Sequence, residues 1–202
     1  MFYELEFDME RIDKAIKDGT NTIFAEDSNM EDIEYPGVAK GFFDNYIYNN
    51  GGRIIKDWPD VEFYYSSKAS KLESEYLLNS SSLPIIHKRV QELFEKEEIQ
   101  GIQYLPIKLI DIVTEEVNDN YFLMNILNVI EAIDLKKSEY SYDEEFEMYS
   151  FLPHTMYLNN DICQNYDIFR ATKMIVPIYV SQKIKDMIEK NNWVGFNFYK
   201  QQ

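Results

Sequence analysis

Side chains that commonly carry chemistry are few and scattered in this sequence of 202 residues. His87 and His154 are its only histidines and stand 67 positions apart, outside any His-Glu-x-x-His or Cys-x-x-Cys pattern, so local spacing supplies no zinc-type ligand set. Cys163 is the single cysteine. A thiol becomes a nucleophile when a base or a helix N-terminus lowers its pKa, and with no signal for either it reads as a buried, inert residue. None of the seven glycines stands in Gly-x-Ser-x-Gly, Gly-x-x-x-x-Gly-Lys-[Ser/Thr] or Gly-x-Gly-x-x-Gly order, the arrangements that expose a serine or cradle phosphate. The expectation is a protein that is not an enzyme, with no catalytic residue, no metal and no cofactor.

One run departs from the average. Glu139 to Tyr149 interleaves five acids with four aromatics. Carboxylate oxygens could recruit a divalent cation, although the spacing matches no calcium loop. The run could also be a solvated acidic loop beside an aromatic core strand. As a protein interface it would use tyrosine for contact area and carboxylates to steer and pair with a basic surface. On that reading the partner-binding residues are Tyr140, Tyr142, Asp143, Glu144, Glu145, Glu147 and Tyr149. The acids Glu26, Asp27, Glu31, Asp32 and Glu34 would extend the surface if the fold brings them near.

The charge balance narrows the partner. A formal charge of -16 makes approach to nucleic acid or to an anionic membrane unfavourable, because both are bound through Lys and Arg. Residues 168–202 hold six basic and two acidic side chains, leaving about -20 on residues 1–167. A basic partner is the complement. The opening Met1-Phe2-Tyr3-Glu4-Leu5-Glu6 lacks the basic and apolar regions of a secretory signal, no apolar stretch approaches the length of a membrane span, and one cysteine forms no internal disulfide. A reducing cytoplasm fits.

These residues must be positioned by elements that the patterning only partly defines. Tyr3 to Phe7 and Val61 to Ser66 read as strands, and Asn49-Asn50-Gly51-Gly52 as a turn leading into a short strand at Arg53 to Ile55. Ser82 can cap a helix with Pro84 in its first turn and Ile86, Val90, Leu93 and Phe94 on one face, ending near Glu98. Gly101 then restarts the chain into a strand, Ile102 to Val113, whose Pro106 suggests an edge or a bulge. Tyr121 to Asp134 fits both helical and alternating periods. Ile175 to Val180 is β-rich, Ser181 can cap a helix carrying Ile184, Met187 and Ile188, and Gly195 opens a last strand, Phe196 to Tyr199. Trp58 and Trp193 read as core or corner residues. The sum is an α+β fold: a single domain over residues 1–202, with a mixed, mostly antiparallel sheet and a few packed helices.

Two stretches carry a resemblance. YFLMNILNVIEAIDLKKS, from Tyr121 to Ser138, and the tail containing Ile168-Phe169-Arg170, Val180-Ser181 and Val194-Gly195-Phe196 are similar to the immunity protein eleven family of bacterial polymorphic toxin systems. The matching positions are Asn125, Asn128, Asp134, Leu135, Ser138, Ile168, Phe169, Arg170, Ser181, Gly195 and Phe198, in about a quarter of the chain. Val194 stands where many relatives have Thr, and the N-terminal third shows no match. The resemblance implies a cytoplasmic antidote that binds and neutralises the toxin domain of a cognate secreted toxin, and it assigns no catalytic residue. Asp134 and Ser138, four apart, suit a local cap. Arg170, between Phe169 and Ala171, needs a carboxylate or carbonyl if buried, and Asp134 is one candidate. The remaining alternatives are a small divalent-metal enzyme and an acidic phosphate mimic that inhibits a nucleic-acid-binding protein.

Overall fold

The computed structural model describes residues 1–10, 14, 52–68, 74–79, 82–152 and 155–202. Strands β1 (Phe2–Phe7), β7 (Val129–Ile130), β10 (Ile168–Ala171), β11 (Met174–Ser181) and β12 (Phe196–Lys200) form a terminal sheet in the order β12-β1-β11-β10-β7. A central sheet contains β2 (Glu62–Tyr65), β3 (Tyr76–Leu77), β4 (Ile85–His87), β5 (Ile102–Asp111) and β6 (Val117–Ile126), in the order β2-β5-β6-β4-β3. Strands β8 (Tyr140–Asp143) and β9 (Met148–Phe151) pair, among the described residues, only with each other. Among the described residues only β7 with β10 and β2 with β5 run parallel. Helices α1 (Lys88–Lys96), α2 (Asn160–Cys163) and α3 (Gln182–Lys190) complete an α+β architecture.

Alternation on the two sheets sorts the apolar residues into three clusters. Tyr3, Leu5, Ile168, Ile178 and Val180 of the terminal sheet meet Tyr76, Ile86, Met124 and Ile126 of the central sheet, together with Val90 and Phe94 of α1 and Ile184 and Ile188 of α3. Helices α1 and α3 thus each contribute an i, i+4 pair that is essentially fully buried, each side chain stabilising by about 1.5–3 kcal/mol. The opposite face of the central sheet buries Phe63, Ile85, Leu105, Ile107, Leu109 and Leu123. Phe2, Phe169, Ala171 and Tyr179 line the back of the terminal sheet and are covered by Ala132, Ile133, Met156, Leu158 and Cys163.

Helices α1 and α3 end in the same way. Beyond α1, Glu98 takes φ 55°, its N–H donates to Glu95 O at 3.1 Å, and Ile99 N–H donates to Phe94 O at 2.9 Å. Beyond α3, Asn192 takes φ 53°, its N–H donates to Glu189 O at 3.0 Å, and Trp193 N–H donates to Ile188 O at 3.4 Å. These are Schellman closures. In each, the residue after the turn joins the same apolar cluster as the last buried residue of its helix, Ile99 with Phe94 and Trp193 with Ile188.

Several sequence expectations need correction. The helix does not begin at Ser82. Asn79 is buried, its Oδ1 accepts the Leu83 N–H at 2.9 Å, and its Nδ2 donates to the Leu77 and Leu83 carbonyls, which ties Leu83 back to Leu77. Ile85 to His87 then continue as β4, and α1 starts at Lys88 with His87 as its cap, the ring Nδ1 accepting the Arg89 N–H at 3.2 Å. No strand forms at Arg53 to Ile55. The Gln103 side chain takes the place of a paired strand, accepting the Ile55 N–H at 2.9 Å and donating to Ile55 O at 2.7 Å. The ambiguous stretch from Tyr121 is strand, in β6 and β7. Pro106 meets both parts of its expectation: β2 pairs with β5 only from Lys108 onward, and the β5–β6 register shifts between Ile107 and Leu109. The Asn49 to Gly51 part of the turn, and the acids at 26–34, lie outside the described residues.

Candidate functional site

The acidic, aromatic run folds as the β8–β9 hairpin, with Tyr140 opposite Phe151, Tyr142 opposite Tyr149 and Asp143 opposite Met148. Alternation therefore puts Tyr140, Tyr142, Tyr149 and Phe151 on one face, and Ser141, Asp143, Met148 and Ser150 on the other. The aromatic rings touch across the strands, with centroids 4.7 Å apart for Tyr142 and Tyr149 and 6.0 Å apart for Tyr140 and Phe151.

The base of the hairpin is rooted in the body. Phe151 packs against the cluster behind the terminal sheet. Thr155 O accepts the Glu139 N–H at 3.2 Å, and Thr155 Oγ1 donates to Leu152 O at 3.0 Å. Lys173, in the β10–β11 turn, pairs with Glu131 and places its ammonium 5.9 Å from the Tyr149 ring centroid. The far end is ordered by its own turn. Asp143 Oδ1 accepts the N–H groups of Glu145 at 2.9 Å and Phe146 at 3.1 Å, and Glu147 takes φ 52°.

This arrangement leaves apolar surface in water beside negative charge. Phe146 is 67% exposed and Met148 59%, and Tyr140 and Tyr142 are close to half exposed. No ion pair engages Glu139, Asp143, Glu144, Glu145 or Glu147 among the described residues. All seven of the residues read from the sequence as partner-binding lie on this one hairpin. Phe146 and Met148 are absent from that reading, although both stand inside the run and their apolar character between acids is visible in the sequence.

The positions that carry the resemblance make hydrogen bonds and packing contacts within the fold. Asn125 Nδ2 donates to Arg53 O at 2.8 Å and to Gln103 Oε1 at 3.0 Å. Asn128 joins the two sheets, Nδ2 donating to Ile168 O at 2.9 Å while its carbonyl accepts the Arg170 N–H. Ser138 Oγ donates to Asp134 O at 2.8 Å and accepts the Tyr157 N–H at 2.9 Å. Asp134 pairs with Lys137 at 3.0 Å, and that ammonium holds its carboxyl below the ordinary range. Arg170 is buried and finds the carbonyl partners that were one of its two options, Nη1 donating to Ile175 O at 2.7 Å and also to Val176 O, while the candidate Asp134 pairs with Lys137 instead. Ser181 occupies the cap position of α3, but its hydroxyl donates to Asp167 Oδ1 at 2.6 Å instead of capping. Phe169 is fully buried with ring centroids 5.5 Å from both Phe2 and Tyr179, and Phe198 stacks on Phe196.

At Gly195 the turn after α3 closes on the central sheet. Glu75 Oε2 accepts the Val194 N–H at 2.6 Å, Val194 O accepts the Glu75 and Tyr76 N–H groups, and Glu75 also pairs with Arg89. This clip ties the edge strands β3 and β12 of the two sheets together.

Groups with reactive potential are quiet. Cys163 is fully buried, and burial pushes its thiol up to about 11. His87 is half-buried, and burial lowers its pKa; His154 lies outside the described residues. Among the described residues no group of three or more His, Cys, Asp or Glu side chains is placed to hold a metal ion. No helix described is long and apolar enough to cross a membrane.

The sequence matches the model of the immunity protein family Imm11 over residues 2–202. The chain belongs to the Imm11 immunity protein family. The match takes in essentially the whole chain, including the N-terminal third, where no motif of its own signals the likeness. No curated protein matches the chain.

Proposed function

We propose that this Imm11 chain is a non-enzymatic, cytoplasmic antidote, one domain over residues 1–202, that binds and neutralises the toxin domain of a cognate secreted polymorphic toxin. The observation that carries the reading is the β8–β9 hairpin, whose carboxylates have no ion pair among the described residues and stand beside exposed aromatic rings. Such a surface suits a basic partner. Charge raises the association rate, and the aromatic rings supply the desolvated contact that slows dissociation. The same charge disfavours nucleic acid as a ligand, and the reading needs no cofactor and no catalytic residue.

The test is co-expression with the toxin domain encoded beside the immunity gene, followed by titration of the purified pair. Protection of the cell is expected, with a complex that weakens roughly tenfold or more as screening shortens the Debye length from about 10 Å to about 3 Å. Absence of both protection and a complex at low salt refutes the proposal.

A further inference from the structure

We infer that the tip of the β8–β9 hairpin is a plug: it enters a cationic cleft of the toxin that otherwise binds phosphate-bearing substrate, with Phe146 as the central apolar contact. The inference rests on the toxin-neutralising reading and specifies how that partner is engaged.

Three observations lead there. The hairpin pairs with no other strand, so at its tip both faces and both edges are open among the described residues. Its strands are four residues long, which gives a reach of about 13 Å from the rooted base. Exposed apolar groups lie on both sides, Tyr142 on one face and Met148 on the other, with Phe146 in the loop between them. A flat surface could cover one face only and would leave the other wet. A cleft that admits the tip covers all three.

The charge specifies the lining of that cleft. Asp143, Glu144, Glu145 and Glu147 place four carboxylates in five consecutive positions, on either side of Phe146. Burying them without partners would be strongly unfavourable, because each carboxylate would lose its hydration uncompensated, so the receiving walls must present Arg or Lys. A cleft lined in this way in an uncomplexed toxin suits a phosphate-bearing substrate, and the plug inhibits by occupying it. The Asp143 turn already orders the loop, which reduces the entropy lost on docking.

The experiment uses the full chain, the toxin domain encoded beside it, and inorganic polyphosphate as the competing probe. Phe146→Ala should weaken the complex at least 20-fold, chiefly through faster dissociation. The triple variant Glu144→Gln/Glu145→Gln/Glu147→Gln should slow association about tenfold and flatten its salt dependence. Polyphosphate should raise the apparent Kd of the wild-type chain in proportion to its concentration. Thermal melting of each variant should match wild type, because the altered side chains are exposed. If the wild-type chain binds but both variants bind within twofold of it, or if polyphosphate and the chain occupy the toxin together, the plug is wrong while the antidote reading stands. If the wild-type chain itself does not bind, both are wrong.

Discussion

Replacing Gly195 by alanine should be among the most damaging single-methyl additions to this fold. Gly195 has φ +100°, a conformation that L side chains rarely adopt, and an added Cβ would lie 2.1 Å from the Tyr76 carbonyl oxygen and 2.4 Å from Ser74 Oγ. The strain costs about 1–2 kcal/mol. The nearest obstacle is backbone, so relief requires the clip to open. Opening it loses at least two of the hydrogen bonds that Val194 and Glu75 make, each worth about 0.5–1.5 kcal/mol. The expected loss is about 2–5 kcal/mol, a large part of the roughly 5–15 kcal/mol typical of a folded chain. Urea unfolding followed by circular dichroism should show a midpoint lower by about 1–2 M. Gly101→Ala is the control. Its Cβ would meet the Asn128 side-chain amide at 1.9 Å, an obstacle that can rotate away at the cost of its own bonds. It should destabilise less. A Gly195→Ala midpoint within about 0.3 M of wild type, or a larger effect at Gly101, would refute the reasoning.

Asp111→Ala should cost about 3 kcal/mol by urea titration, since its carboxylate accepts the Ser67 and Val113 N–H groups at 3.0 Å and the Thr114 hydroxyl at 2.9 Å, whereas Asp111→Asn keeps an acceptor and should cost about half as much. Burial alone would raise this carboxyl's pKa, but hydrogen bonds from Ser67, Val113 and Thr114 outweigh it and hold the group down to about 2. Its stabilisation is therefore present above about pH 4 and lost as pH falls through about 2, a loss that Asp111→Asn should not show in melts across that range. His87 has a lowered pKa, so the unfolded chain takes up its proton first as pH falls below about 6.5; wild type should then lose stability relative to His87→Ser, which keeps a cap but does not titrate, and parallel pH profiles would contradict this. Glu98→Gly should raise the urea midpoint through a gain of about 0.5–1 kcal/mol, because Glu98 holds φ 55° at the α1 closure where glycine fits without a Cβ penalty.

Patterns of period two and the strong punctuation residues made the β1, β5, β11, α3 and β12 segments legible in the sequence. What escaped was set by side chains acting at a distance. Asn79 turned an apparent helix start into a strand connection, and Gln103 replaced the pairing expected of Arg53 to Ile55. Arg170 found carbonyls of the neighbouring strand, which a spacing argument does not reveal. At the candidate site, the composition of 139–149 pointed to the surface, but only the register showed that its tyrosines share one face and that Phe146 stands at the tip.

The place of β1 has a consequence for the order in which the molecule can be made. Its partners, Ser181 to Ile178 on one side and Lys200 to Phe196 on the other, lie more than 170 residues later in the sequence and leave the ribosome correspondingly late. At about 5–20 residues per second, β1 waits roughly 10–35 s for β11. The central sheet, drawn from residues 62–126, can assemble during that interval. A nascent chain cut short before β11 therefore cannot complete the terminal sheet, and translation through β11 and β12 becomes the step that commits that sheet to its folded form.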